Sequence, residues 1–489
     1  MNSQTATILC VAGILTLLWL DREPKERVSA AVWIPVIWLF IAASRTCSQW
    51  FGLAPATASA DQYVEGSPLD RLLLTGLLIA GSLVLAGRRR RLAALMQKSW
   101  PVFMLLGYAL LAVWWSDFPW VALKRWIKAF GNVVMILVVL TEQNPFAAVK
   151  RWLGATGILL IPLSVLFIKY YPGLGRGYYA WTWDTFYQGV AIGKNGLGAI
   201  CMIFGLASFW RLLEISWGKA RGRGAAIVTH IAVLSMTFWL FAKAESSTSL
   251  GCFLIGVGLL LTMKLSAIAR KSVVAHIVVP GIILVCVYGL IINPGAGLTQ
   301  AAGKDVTLTG RTELWADILY LARKAEVSSW FGTGFESFWL GDRVTYLWDR
   351  YWWQPTEAHN GYLELFVTLG WVGLALQAVV LLWGYQSVIT LLRRQPEWGR
   401  LALVYFVVGV VYNLPEAAFR GTHPVWIIFL LAVMALPVSA AQPRGIKRQT
   451  PEKFPETQAT IGSDVLDPYP AYAGLPTGLR TTEDNANRV

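Results

Sequence analysis

The chain has 489 residues, of which 56% are hydrophobic and only 14% charged, where an ordinary soluble domain carries about 25%. That balance excludes a soluble globular enzyme and describes a polytopic membrane protein. The formal charge of +14 fits basic residues gathered in cytoplasmic loops beside anionic lipid, and no nucleic-acid partner is expected.

Apolar stretches near the length needed to cross a bilayer, about 20 residues, recur along the chain. They are read near 4–20, 29–44, 69–87, 100–116, 127–141, 153–169, 195–211, 225–243, 249–264, 273–292, 362–384, 401–415 and 424–440. The expected fold is therefore all-α, a polytopic membrane helical bundle of about 12 to 13 spans over residues 1–440. A large outer loop, 293–361, separates spans ten and eleven. No Lys or Arg precedes Arg22, so the N-terminus lacks the basic region of a secretory signal. Cys10, Cys47, Cys201, Cys252 and Cys286 include no CxxC pair, so neither a disulfide framework nor a zinc site is indicated.

Basic clusters set the orientation. Arg88 to Arg91, Lys150-Arg151, Arg211 to Arg223, Lys264 to Lys271 and Arg393-Arg394 are all cytoplasmic if spans alternate. This places the N-terminus, 45–68, 117–126, 170–194, 244–248, 293–361 and 416–423 outside. The segment 441–489, rich in Pro, Thr, Gly and charge, is expected to be a disordered cytoplasmic tail.

The outer face concentrates the chemistry. The long outer loop contains an amphipathic stretch over 311–326, with Leu314, Ile318 and Leu321 at three- and four-residue spacing. Aromatic residues follow, among them Trp339, Trp352 and Trp353, whose flat faces suit pyranose rings, although an interfacial aromatic belt would look the same. Arg125, Arg176, Lys194 and Arg311 stand on this face against the positive-inside trend. They are candidate ligands for an anionic donor, such as a lipid-linked diphosphate. His359 lies just before span eleven. An imidazole there can take a proton from an attacking hydroxyl, and the helix N-terminus is expected to favour its neutral form. His423, after the outer turn 416–423, is a second imidazole that could reach the same cavity. The run Lys243 to Ser249 suggests either a hydroxyl-lined acceptor pocket or hydroxyls capping helix ends. No Asp-x-Asp motif or histidine cluster occurs, so a metal-independent reaction without cofactors is expected.

Three segments in this order resemble the O-antigen ligase and Wzy-type polysaccharide polymerase superfamily. They are Gly193-Lys194-Asn195-Gly196-Leu197-Gly198; Gly310-Arg311-Thr312-Glu313-Leu314-Trp315 with Trp330-Phe331-Gly332-Thr333-Gly334; and His359-Asn360-Gly361-Tyr362-Leu363-Glu364 through Gly370. The resemblance covers about 190–440. It implies a GT-C-like glycosyltransferase at the outer face of a bacterial inner membrane, using undecaprenyl-diphosphate-linked glycan as donor and a second glycan as acceptor. It implies Arg311 and His359 as the essential pair; Asn195 and Glu364, within the matching segments, are candidate substrate-binding residues. Surrounding membrane lipid, a chain-length regulator and export proteins are the expected partners. Ligases of the family carry an Arg-x3-Leu element. After Arg311 the leucine comes one residue early, at Leu314. With the Lys194-Asn195 element, this favours polymerisation over ligation of glycan to lipid A-core. A lipid-linked oligosaccharide flippase is the rival of another class; it would place its charges at mid-membrane with repeat symmetry.

Overall fold

The computed structural model describes residues 1–23, 26–53, 67–179, 183–216, 224–265, 273–289, 310–324 and 328–435. Each of the thirteen apolar stretches holds a helix among its described residues. Among the described residues, seven helices are long and apolar enough to cross a membrane: Ser3–Leu20, Pro68–Ala86, Pro145–Tyr170, Gly193–Ser216, Gly224–Ala244, Ser247–Lys264 and Gly361–Arg394. The others, including Trp33–Ala43, Trp100–Leu111, Pro119–Leu140, Val273–Val287, Pro396–Tyr412 and Pro424–Met434, pack among them. Proline opens many of these helices, at Pro68, Pro119, Pro145, Pro396 and Pro424. Its fixed φ suits the first helical position, where no backbone N–H is needed.

The core is made by the second half of Pro119–Leu140 with Pro145–Tyr170, Gly193–Ser216, Pro396–Tyr412 and Pro424–Met434. Every residue of Pro424–Met434 is buried, which explains why it is apolar all round rather than amphipathic. Ser3–Leu20 and Pro68–Ala86 lie at the periphery, each burying only two residues. Two short antiparallel strands, Arg176–Tyr178 and Thr185–Tyr187, form a hairpin between helices. Segments that short carry no alternation long enough to read from sequence. The expected tail 441–489 and the start of the long loop, 293–309, lie outside the described residues.

The expected span 362–384 belongs to a longer helix, Gly361–Arg394, that is broken at Gly370 (φ 65°, ψ −164°). A break inside a membrane segment exposes backbone groups that lipid cannot satisfy. Here the 329–334 segment satisfies them. Thr333 N donates to Val367 O and Gly334 N to Thr368 O, both at 3.0 Å, while Trp371 N donates to Ser329 O at 2.9 Å and Val372 N to Trp330 O at 3.1 Å. The two backbones approach so closely that a Cβ at Gly370 would overlap the Trp330 carbonyl, and one at Gly332 would overlap the Thr368 backbone. The spacing from His359 to Gly370 thus has a physical meaning. It measures one half-helix, about three turns long, from its entry to its break.

Gly370→Ala should therefore destabilise the fold. The left-handed, extended conformation alone costs a non-glycine residue on the order of 1–3 kcal/mol, and the overlap with Trp330 adds to it. A thermal melt of the purified protein checks this, and a melting temperature equal to that of the parent chain would contradict it.

Candidate active site

His359 has φ 47°, in the left-handed region that residues other than glycine rarely occupy. Both peptide groups of the preceding residue are tied down. Ala358 N donates to Glu364 Oε2 at 2.9 Å, and Ala358 O accepts from Trp315 Nε1 at 2.7 Å. On the other side, Asn360 caps the helix, its Oδ1 accepting from Tyr362 N at 3.0 Å and Leu363 N at 2.9 Å. A strained conformation persists only where its surroundings over-determine it, and these bonds do so.

The 413–423 turn is brought against this histidine by Gly361. Gly361 N donates to Asn413 O at 2.9 Å and to Glu416 O at 3.0 Å. A Cβ at position 361 would overlap the Asn413 side chain. Asn413 Oδ1 in turn accepts from Ala418 N and Phe419 N, both at 2.8 Å, and so shapes the turn.

Glu416 is the centre of the resulting cluster. Its Oε1 accepts from Arg311 Nη2 at 2.9 Å and from Asn195 Nδ2 at 3.3 Å, and its Oε2 lies 3.2 Å from His359 Nδ1. Arg311 also donates to Pro415 O. Glu357 lies 3.3 Å from His359 Nδ1, and Arg420 lies 3.4 Å from Glu357. The indole of Trp353 sits 5.6 Å from the imidazole, centroid to centroid.

The electrostatics differ from the expectation of a histidine held neutral by the helix end. Burial does oppose the imidazolium. The hydrogen bond to Glu416 and the charges of Glu357 and Glu416 outweigh burial and Arg311, and raise the His359 pKa above its ordinary value. Burial likewise opposes the charge of Glu416, but His359 and Arg311 overcome it and hold the carboxyl below its usual range. His423 moves the other way. It is pushed down to about 4, chiefly by burial, and its Nδ1 accepts from Val425 N at 3.2 Å as the cap of the next helix. It is a neutral cap rather than a second base.

The remaining candidates separate into groups. Arg311, His359, Asn195 and Trp353 come together around Glu416. Trp352 is 60% exposed and available to a ligand. Trp339 and Glu364 do not present themselves for sugar binding. Each is 3% exposed, and the indole donates to the carboxylate at 2.7 Å; together they fix the backbone before His359. Arg125 donates to Glu336 O, and Glu336 accepts from Gly421 N, so this arginine braces the 413–423 turn. Arg176 donates to Ile168 O through Nε at 3.1 Å and Nη2 at 3.0 Å, closing the end of Pro145–Tyr170. Lys194 lies over the Tyr179 ring at 5.7 Å. The hydroxyls of Ser246 and Ser249 are 3.1 Å apart and buried.

Glu416 does not stand out in the sequence as a site residue, because its partners Arg311, His359 and Asn195 are all distant in the chain. The available signal was a carboxylate between two apolar spans, a costly placement that calls for a function or a partner. The ligand-type atoms of Glu357, His359 and Glu416 lie within 4.8 Å of one another, close enough to share a cation. Arg311 and Arg420 already stand on those two carboxylates.

Residues 220–378 match the sequence model of the O-antigen ligase family. The chain is also 26% identical over 346 residues to the exopolysaccharide production protein ExoQ of Rhizobium meliloti (strain 1021), covering 67% of this chain and 74% of that protein. The matched family segment contains Arg311, His359 and Gly370, whereas Asn195 and Glu416 fall outside it. These matches support a place for the chain in the O-antigen ligase and Wzy-type polysaccharide polymerase superfamily, and several of the described helices are long and apolar enough to span a membrane.

Proposed function

We propose that the chain polymerises undecaprenyl-diphosphate-linked oligosaccharide repeat units into an exopolysaccharide or O-antigen at the outer face of the membrane. The observation that carries this reading is the convergence of Arg311 and His359 on the carboxylate of Glu416. With Nδ1–H donated to Glu416, the Nε2 lone pair is the base. The carboxylate fixes the tautomer and stabilises the imidazolium that forms. Nε2 takes the proton of an acceptor sugar hydroxyl, and its oxygen attacks the anomeric carbon of the donor. The bond from that carbon to the diphosphate breaks, and its electron pair leaves with the lipid diphosphate. One displacement inverts the anomeric centre. The diphosphate is a good leaving group, so no general acid is required. Arg311 stabilises its charge, and Trp352 and Trp353 offer faces to the sugars.

Ligation to lipid A-core is the second reading, since it needs the same chemistry. Polymerisation is favoured by Asn195, whose contact with Glu416 ties the Lys194-Asn195 element to the site, and by the similarity to an exopolysaccharide production protein. Lipid-linked glycan in a deletion strain separates the two. Single repeat units are expected; long chains stranded on the carrier would indicate a ligase. A flippase is disfavoured because the cluster sits at helix ends and turns rather than at mid-span.

His359→Ala should lower transfer by about 10² to 10⁴-fold, the usual contribution of a general base, with membrane insertion intact. Arg311→Lys should fail nearly as badly as Arg311→Ala if the guanidinium grips diphosphate through two bonds. Transfer rates of the purified variants decide both points, and near-parental rates would remove the assigned roles.

Glu416→Gln should move the acid limb of the kcat/KM profile to lower pH. The carboxylate raises the His359 pKa, so removing its charge makes the imidazole harder to protonate. The maximal rate should fall, because the imidazolium loses its charged partner. An unmoved limb would separate Glu416 from the base.

Transfer should be metal-independent, because Arg311 supplies the charge a divalent ion would otherwise provide. EDTA is expected to leave the rate unchanged. Loss of activity restored by Mg²⁺ or Mn²⁺ would instead assign Glu357, His359 and Glu416 as ligands.

A further inference from the structure

At the opposite end of the Pro119–Leu140 helix from Arg125, about 25 Å away by helical rise, lies a cavity of about 720 Å³. It is lined by Arg27, Arg88, Arg89, Arg90 and Arg91, with Glu142 as its one carboxylate, so five cations face one anion. That anion is already used. Glu142 pairs with Arg88 and accepts from Ser29 through its side chain at 2.5 Å and its backbone at 3.3 Å. Arg91 Nη1 is held by Thr141 O at 3.0 Å and Arg89 Nε by Ala86 O at 3.1 Å. Among the described residues, no carboxylate pairs with Arg27, Arg89, Arg90 or Arg91.

Topology alone does not account for this arrangement. The positive-inside rule asks for a count of basic residues near a span, not for an open recess in which Arg88, Arg89 and Arg91 each donate to a backbone carbonyl. The placement is also unfavourable on its own. Arg89 to Arg91 occupy the first turn of the Arg89–Lys98 helix, where the helix dipole repels cations. An anion in the cavity relieves both the mutual repulsion and the dipole.

We infer that this cavity binds the phosphate headgroup of an anionic phospholipid from the adjoining leaflet. The lipid source is indicated by the helix that leads to it. Leu72, Ile79 and Leu83 are exposed along one face of Pro68–Ala86, which ends at the cavity. An acyl chain lying on that stripe brings its headgroup to the arginines, which a soluble phosphate would reach without any such surface. The site is independent of the outer-face reaction.

The full chain, purified in detergent, tests this by native mass spectrometry with phosphatidylglycerol, phosphatidylcholine and inorganic phosphate as separate probes. Phosphatidylglycerol should be retained in preference to phosphatidylcholine and should resist displacement by millimolar phosphate. The double variant Arg27→Gln/Arg90→Gln should weaken phosphatidylglycerol binding about thirty-fold, at roughly five-fold per arginine facing an anionic surface. Arg27→Lys/Arg90→Lys should keep most of it. Equal retention of the two lipids, ready displacement by phosphate, or undiminished binding by the glutamine variant would each overturn the proposal. If the glutamine variant does not purify as a folded protein, the lipid comparison and phosphate competition on the parent chain decide alone.

Discussion

A carboxylate buried where membrane helices end has to be compensated, and the half of this protein around Glu416 is organised around that requirement. Glu416 is 4% exposed, and desolvation alone would force it to take up a proton. Arg311, His359 and Asn195 keep it ionised, from three separate regions of the chain. Removing one partner of such a buried group costs several times what an exposed ion pair contributes. Each partner is therefore held where it is by the others. The same bonds prepare the chemistry. They leave one imidazole nitrogen bonded and the other directed away from the carboxylate, beside a guanidinium whose charge is only partly neutralised.

The broken helix serves the same end. A continuous helix through residue 370 would satisfy its own backbone and leave the 329–334 segment nothing to dock against. The break at Gly370 exposes carbonyls and amides that need hydrogen-bond partners in a dry environment, and the 329–334 segment supplies them. Discontinuous helices are also a feature of transporters, where the unwound backbone binds the transported ion or substrate. Here the freed groups are already occupied by protein. The break acts as an anchor for the loop, and the ionisable groups lie one half-helix away, at the entry.

Much of this was legible because membrane segments and helix breaks leave local signals. Each of the thirteen apolar stretches holds a helix among its described residues, and the amphipathic stretch from Arg311 forms the helix Arg311–Lys324. His359, Arg311 and Gly370 stand out through residue type and spacing. What escaped was set by contacts distant in sequence. Trp339 and Glu364 have the composition of a sugar site, but their polar atoms satisfy each other inside the fold. The His359 pKa departs from the local expectation for the same reason, since the helix terminus is a local feature and the two carboxylates that raise the pKa arrive by folding. Arg125 and Arg176 carry charge against the positive-inside trend yet spend hydrogen bonds on backbone carbonyls, a distinction that composition does not make.

The cluster of Glu357, His359 and Glu416 also bears on how negative charge is handled during the reaction. The three groups are close enough to hold a divalent ion, and hard cations favour oxygen ligands. Such an ion would have to enter beside Arg311 and Arg420, which already occupy the carboxylates, and would compete with His359 protonation for Nδ1. An arginine avoids that conflict. It neutralises Glu416 without touching the imidazole, and its planar fork has donors left for a phosphate. A base that must alternate between neutral and protonated forms works more easily beside a fixed guanidinium than as the ligand of a metal that would hold it neutral.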